Sequence, residues 1–211
     1  MLRGELDNSD LEVLLGDVVK REKWKGERGR LVIEVGTGGG RGSTAAIHRA
    51  LTARNHRFQL VGYEGDGELA QQAATYWEDV PEVRVVNEYF MHPGDIDQAV
   101  KPLVAPKERD SYFPWFEARR DGKFLETPPP GPIDLLFIDS VRYTHLAILR
   151  TALPWLAKES VVVMEDDIPD YGELAFIESE FKLRKVRRHE ISEHPWPLVE
   201  FKLARQSLRD R

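Results

Sequence analysis

The chain has 211 residues, of which 41% are hydrophobic and 31% charged, and this length and balance suit one globular domain with a sizeable core. Its net charge of −6 offers no basic field for nucleic acid, and the absence of cysteine excludes disulfides, thiolate catalysis and cysteine-bound zinc. Because no apolar signal core or membrane-spanning run is present, we expect a cytoplasmic protein with neither a membrane nor a nucleic acid as partner.

The first half of the chain alternates predicted helices with short apolar strands. The N-terminal segment 1–29 is predicted to be helical, with an apolar stripe and the capping-box spacing of Ser9 and Glu12. Apolar, β-branched runs between turn residues predict strands. In chain order, we predict helix 9–24, strand 31–35, helix 45–54, strand 57–63, helix 68–77 and strand 83–86.

The second half repeats this alternation. We predict strand 133–138, helix 144–156, strand 161–164, helix 171–181 and strands 186–192 and 198–203, with the basic run 182–188 as a helix end and edge strand. Short strands alternating with helices indicate an α/β fold. We therefore expect a single domain, 1–211, with a Rossmann-like doubly wound sheet of about seven strands, mostly parallel, whose C-terminal hairpin adds an antiparallel strand.

The long section 91–132 interrupts the alternation and is predicted to be an insertion on the substrate side. It contains four closely spaced aromatic residues, Tyr112, Phe113, Trp115 and Phe116. Long loops at strand ends often carry specificity, so the segment is expected to cover a substrate. A surface excursion with its own small core is the alternative that the sequence leaves open.

A glycine cluster follows the first strand. Glu34 ends that strand and begins the pattern E-x-G-x-G-x-G, through Gly36, Gly38 and Gly40. Glycines allow backbone N–H groups to approach a ligand closely, and the N-terminus of the next helix adds partial positive charge. The pattern therefore predicts a nucleotide-type site.

The residues around the cluster do not match the two common phosphate-binding motifs, the dinucleotide fingerprint and the P-loop. Arg41 stands where the dinucleotide fingerprint needs a third glycine, and no lysine precedes Ser43, as a P-loop would require. Ser43 and Thr44 are predicted to cap the following helix. Both common phosphate-binding motifs are thus absent.

Acidic residues end the other predicted strands. Glu64 closes the second strand and could accept hydrogen bonds from a ribose, with Asp66 as a competitor. Asp139 ends the fourth strand, while Asp166 and Asp167 follow the fifth. Carboxylates that converge at neighbouring strand ends repel one another unless a cation lies between them, and oxygen ligands favour a hard ion such as Mg²⁺.

These motifs resemble those of a known family. The glycine pattern is similar to motif I of class I S-adenosylmethionine (SAM) dependent methyltransferases. An aspartate after strand four with an acidic pair after strand five resembles metal-dependent O-methyltransferases of the catechol, caffeoyl-coenzyme A and macrocin types. The resemblance spans roughly 31–203 and implies strand order 3-2-1-4-5-7-6, SAM as cofactor and Mg²⁺ as metal.

The resemblance also implies roles for individual residues. The acid closing the second strand would bind the ribose of SAM, and the acid beside the glycine turn would hold its methionine end. Asp139, Asp166 and Asp167 would be the metal ligands, although another alignment of the acidic triplet selects Glu165 with Asp166. The implied cofactor-binding residues are Glu34, Gly36, Thr37, Gly38, Gly40, Ser43, Glu64 and Asp139.

The candidate catalytic base differs from that of the enzymes that this sequence resembles. Those enzymes often place lysine or histidine three residues after the strand-four acid. Here that residue is Arg142, which stays protonated and is better suited to bind an anionic substrate group. His145, on the next helical turn, is the candidate base. The expected activity is Mg²⁺-assisted O-methylation of a small hydroxylated metabolite. A related enzyme of the cephalosporin hydroxylase type and a non-catalytic SAM-binding protein are the alternatives, and assembly as a homo-oligomer stays open.

Overall fold

The computed structural model describes residues 8–22, 24, 29–95, 122–141, 144–165, 173–189 and 197–203. Its element order begins with three helix–strand pairs and ends with two strands in succession. The helices are α1 (Asn8–Arg21), α2 (Ser43–Thr52), α3 (Gly67–Tyr76), α4 (His145–Ala152) and α5 (Glu173–Glu180). The strands are β1 (Arg30–Val35), β2 (Phe58–Tyr63), β3 (Val83–Val86), β4 (Ile133–Ile138), β5 (Leu156–Glu165), β6 (Leu183–His189) and β7 (Leu198–Leu203).

The strands form one sheet in the order β3-β2-β1-β4-β5-β7-β6. The first five are parallel, and β7 runs antiparallel between β5 and β6. This confirms the predicted fold class and strand order. Val35 lies opposite both Tyr63 and Ile138, and Tyr63 lies opposite Val86, so β1, β2, β3 and β4 end in register. Ile138 lies opposite Met164, so β5 ends one residue later. The residues that follow these strands therefore share one edge of the sheet.

Apolar clusters cover both faces of the sheet. Side chains alternate across a strand, so Ile33 and Val35 pack with α4 on one face while Val32 packs with α1 and α2 on the other. All six residues of β4 are buried, as expected for a central parallel strand. In the described part of the chain, no helix is long and apolar enough to span a membrane.

Several element boundaries differ from the predictions. The helix predicted over 144–156 ends at Ala152 and gives way to a short 3-10 helix, Leu153–Trp155, since Pro154 cannot donate a helical hydrogen bond. Strand β5 then begins at Leu156, earlier than predicted. Strand β6 begins at Leu183, so most of the basic run belongs to the edge strand, where exposed arginines discourage pairing with another chain.

Candidate functional site

Glu34, the last acid of β1, is fully buried beside the glycine turn. Its Oε2 accepts a hydrogen bond of 2.7 Å from the hydroxyl of Thr44, on α2. Its Oε1 is buried without a hydrogen-bond partner among the described residues. Burial raises the pKa of Glu34 to about 8, and the negative charges of Asp139 and Glu64 add to this, against the lowering effect of hydroxyls on Ser43 and Thr44. The site therefore holds a carboxyl group with one oxygen still unsatisfied.

The prediction that Ser43 and Thr44 cap α2 is wrong. The helix already begins at Ser43, with Gly42 at the N-cap position and no side-chain hydrogen bond there. Thr44 lies one residue inside the helix, and its hydroxyl donates to the buried carboxyl group of Glu34 instead. The first turn of α2 thus supplies a hydrogen-bond donor to Glu34.

The glycine turn depends on residues without side chains at two positions. Gly36 has φ of +95°, and a Cβ there would overlap the backbone carbonyl of Asp139 at the end of β4. Gly40 has φ of +79°, and its N–H donates to the carbonyl oxygen of Thr37 over 3.1 Å. The turn is therefore compact and packs directly on the neighbouring strand end.

Thr37 lies inside this turn and is buried. Its side chain packs on the backbone of Gly62 in β2, where a Cβ would overlap the threonine Oγ1. That Oγ1 is a second buried polar atom without a hydrogen-bond partner in the described part of the chain. Sequence reasoning missed Gly62, although a glycine inside a strand is a signal for close approach of another backbone or side chain.

Glu64 follows β2 and binds the glycine turn directly. Its Oε2 accepts from the N–H of Gly38 at 2.7 Å, and its Oε1 accepts from the N–H of Asp66 at 2.9 Å. Burial raises the pKa of Glu64 above its usual value, although hydrogen bonds from Asp66 and Gly38 oppose the shift. The carboxylate is only partly buried, so it retains lone pairs for a ligand.

Asp66, the alternative candidate to Glu64 for binding a ribose, caps a helix. Its Oδ1 accepts hydrogen bonds from the N–H groups of Glu68 and Leu69, at 3.0 and 3.1 Å, as the N-cap of α3. The structure thus separates the two acids, with one facing the glycine turn and the other capping a helix.

The return end of the predicted insertion is fixed to the carboxyl ends of β2 and β3. Glu88, which is buried, accepts hydrogen bonds of 2.9 Å from the N–H groups of Glu126 and Thr127 and one of 2.7 Å from the Thr127 hydroxyl. Tyr63 donates its phenol to the carbonyl of Thr127 over 2.9 Å. The aromatic residues Tyr112, Phe113, Trp115 and Phe116 lie outside the described residues, so their predicted role stays a prediction.

The predicted metal and base positions are described only in part. Asp139 lies directly after β4, at the edge shared with the glycine turn. Asp166, Asp167 and Arg142 fall outside the described residues. Among the residues that the structure does describe, no group of three His, Asp or Glu side chains is arranged to hold a metal ion. The metal site therefore stays a prediction.

His145 begins α4 and is fully buried. Its Nε2 lies 3.1 Å from the carbonyl oxygen of Ser140 in the loop after β4. Because a carbonyl oxygen only accepts, Nε2 is the protonated nitrogen of this hydrogen bond. The bond orients the ring toward the loop at the sheet edge, and the role of His145 as base stays a prediction.

Comparison with known proteins supports the fold through structure alone. No protein-family model matches the chain, and no curated protein matches its sequence significantly. Solved structures do match. An O-methyltransferase from Bacillus cereus, in complex with SAH, has a TM-score of 0.59 at 16% identity, covering 96% of this chain and 84% of its own.

Two further structures show how broad this fold is. The O-methyltransferase TomG from Streptomyces achromogenes, in complex with SAM, has a TM-score of 0.54 at 18% identity, covering 92% of this chain and 79% of its own. A ribosomal protein L11 methylase from Lactobacillus delbrueckii subsp. bulgaricus has a TM-score of 0.59 at 12% identity, with coverages of 96% and 81%. The chain therefore has the fold of class I SAM-dependent methyltransferases, and this fold serves different methyl acceptors.

The residues of the glycine turn fit a SAM-type cofactor. Two buried atoms, Glu34 Oε1 and Thr37 Oγ1, have no hydrogen-bond partner among the described residues. Such atoms are costly unless a ligand satisfies them, and an ammonium group would suit a carboxylate oxygen. Glu64 lies at the neighbouring strand end with lone pairs to accept from hydroxyl groups. The turn thus combines a cation-attracting end with a hydroxyl-accepting end.

Proposed function

We propose that the protein is a SAM-dependent methyltransferase that methylates a hydroxyl group of a small metabolite. The observation that carries the proposal is the joined geometry of the glycine turn. The buried Oε1 of Glu34 has no hydrogen-bond partner among the described residues, and Glu64 is hydrogen-bonded to the turn at Gly38. A ligand with a cationic amino acid end and a ribose matches both.

The residues of the site would act by holding and orienting. Glu34 would bind the ammonium group of the methionine end, and Glu64 would accept the ribose hydroxyls. When bound, SAM supplies a methyl group activated by an adjacent sulfonium. Because methyl transfer is an in-line displacement, a protein accelerates it mainly by fixing the acceptor oxygen, methyl and sulfur on one line. The glycine turn is in direct contact with the end of β4, because Gly36 packs on the backbone carbonyl of Asp139.

The O-methyl specificity and the metal form the finer part of the proposal. Asp139, with Asp166 and Asp167, would bind Mg²⁺, which would lower the pKa of a bound hydroxyl. Arg142 would attract an anionic group of the acceptor, and His145 would receive the hydroxyl proton. The acidic sequence after β5, together with Asp139 at the shared edge, supports this assignment.

The test is transfer of label from methyl-tritiated SAM to a panel of catechols, sugars and polyketide alcohols. We expect Mg²⁺-dependent transfer to hydroxyl oxygen, lost on chelation with EDTA and restored by added Mg²⁺. Transfer that ignores EDTA would remove the metal from the proposal, and label on nitrogen would remove the O-methyl specificity. Binding of SAM without transfer to any acceptor would favour the non-catalytic alternative, and no binding of SAM would favour the hydroxylase type.

The matched variants are Glu64→Ala and Glu159→Ala. Both remove one carboxylate, but Glu159 is exposed near the amino end of β5, at the end of the sheet opposite the glycine turn. We expect loss of transfer at low SAM concentration only in Glu64→Ala. Equal effects of the two substitutions would contradict the role of Glu64 in the site.

A further inference from the structure

Trp77 contacts the glycine turn at Gly40. It follows α3 as the C-cap residue and is buried, with 8% of its surface exposed. Its indole Nε1 donates a hydrogen bond of 2.8 Å to the carbonyl oxygen of Gly40. The side chain thus joins the end of α3 to the third glycine of the turn.

The fit between Trp77 and Gly40 is close. A Cβ on Gly40 would lie 2.8 Å from the indole Nε1 and 3.0 Å from the Cβ of Ala73, so only glycine leaves room for the indole. The N–H of Gly40 donates to Thr37 while its carbonyl accepts from Trp77. Both peptide groups of this glycine are therefore held, one from inside the turn and one from outside.

The indole is itself held in place by its neighbours. The ring of His48 lies 5.1 Å from it at a tilt of 51°, and the ring of Tyr76 lies 5.1 Å away edge-on. His48 in turn contacts the carboxylate of Glu82, with 3.0 Å between Nε2 and Oε1. A donor held by such packing restricts where the Gly40 carbonyl can lie.

We propose that Trp77 is a positioning residue, which holds the glycine turn in the conformation that binds the cofactor. This inference rests on the proposed function. The simpler explanation is a buried tryptophan whose N–H needs any nearby acceptor. The contacts of the turn favour a positioning role, because Gly40 is hydrogen-bonded to Thr37, whose hydroxyl is unsatisfied, and Gly38 in the same turn is bound to Glu64. Movement of the turn would displace both.

The test separates binding from stability. Trp77→Phe keeps an aromatic ring and removes the N–H, and Trp155→Phe is its control because Trp155 is 36% exposed in the 3-10 helix after α4. The probe is S-adenosylhomocysteine, titrated calorimetrically, with the free energy of unfolding measured alongside. We expect the Kd to rise about tenfold in Trp77→Phe, as for loss of one hydrogen bond, and to stay unchanged in Trp155→Phe.

A merely structural role gives a different result. A variant that stays more than 99% folded can lose stability without a change in Kd, so an unchanged Kd with a lower unfolding free energy would overturn the inference. Absence of binding by the unmodified protein would instead overturn the proposed function.

If Trp77→Phe does not fold, the unmodified protein still supplies a test. Hydrogen exchange of the indole N–H groups can be followed by NMR with and without S-adenosylhomocysteine. We expect exchange at Trp77 to slow on binding while exchange at Trp155 does not change. Exchange at Trp77 that ignores the ligand would contradict a link between the indole and the site.

Discussion

The contact between Thr37 and Gly62 predicts a steric effect that one methyl group can reveal. In Gly62→Ala, the added Cβ would overlap Thr37 Oγ1 and lie 3.1 Å from its Cγ2 and 3.3 Å from its Cβ. Overpacking of a buried site costs about 1–3 kcal/mol. Replacing glycine by alanine restricts the unfolded chain, and this stabilises the folded protein by about 0.4–1 kcal/mol. We expect a net loss of about 1–2 kcal/mol in the free energy of unfolding.

A double-mutant cycle assigns this loss to Thr37. Thr37→Ala removes the two atoms closest to the new methyl, so Gly62→Ala should cost little in that background. We expect a coupling energy of at least about 1 kcal/mol between the two substitutions, measured by urea denaturation. Gly131→Ala is the control, since a Cβ there meets nothing within 4 Å and should leave stability within about 0.5 kcal/mol.

The same cycle tests the link to the site. Because Thr37 lies inside the glycine turn, its displacement in Gly62→Ala should weaken binding of SAM, and Gly131→Ala should not affect it. Additive stability effects in the double mutant would refute the packing of Thr37 on Gly62. A large stability loss with unchanged SAM affinity would refute the link between that packing and the ligand site.

Three further predictions concern the acids of the site. Burial raises the pKa of Glu34 to about 8, so the folded protein loses stability as pH rises from about 4.5 to 8. Glu34→Gln removes this charge and should therefore raise Tm more at pH 9 than at pH 5. An equal gain in Tm at both pH values would contradict the raised pKa. Burial alone would raise the pKa of Glu88, but hydrogen bonds from Thr127 and the backbone of Glu126 outweigh it and hold that pKa below its usual value. The stability that Glu88 contributes is therefore present above its unfolded pKa and is lost in acid. Between about pH 7 and pH 3, Tm should fall less for Glu88→Gln than for the unmodified protein. Matching curves of Tm against pH would contradict this role of Glu88. Asp139→Asn should remove Mg²⁺-stimulated methyl transfer while SAM still binds in calorimetry, and an undiminished response to Mg²⁺ would argue against a metal there.

The strands and the acids at their ends could be predicted from sequence because both are local signals. The bounds predicted for β3 and β4 agree with the structure, and Glu34, Glu64 and Asp139 all end or follow central strands as expected. Fully buried parallel strands are short apolar runs, and their registers place the next residues at one edge. The pattern therefore determines which acids share that edge.

Contacts between distant segments could not be predicted in this way. The hydrogen bond from Trp77 to Gly40 joins residues 37 positions apart, and that from Thr127 to Glu88 joins residues 39 apart. The wrong capping prediction for Thr44 has a related cause, since the local pattern favours a cap while its tertiary neighbour is a buried carboxylate. Spacing describes one element at a time, whereas these contacts depend on how elements pack.

The central claim is that the glycine turn, Glu34 and Glu64 form a SAM site. Calorimetric titration of SAM into the unmodified protein and Glu64→Ala, with Glu159→Ala as control, tests it most directly. We expect binding by the unmodified protein and the control, and a Kd at least about a hundredfold higher in Glu64→Ala, where two charge-assisted hydrogen bonds are lost. No binding of SAM by the unmodified protein at millimolar concentration, or equal affinity in Glu64→Ala, would contradict the account.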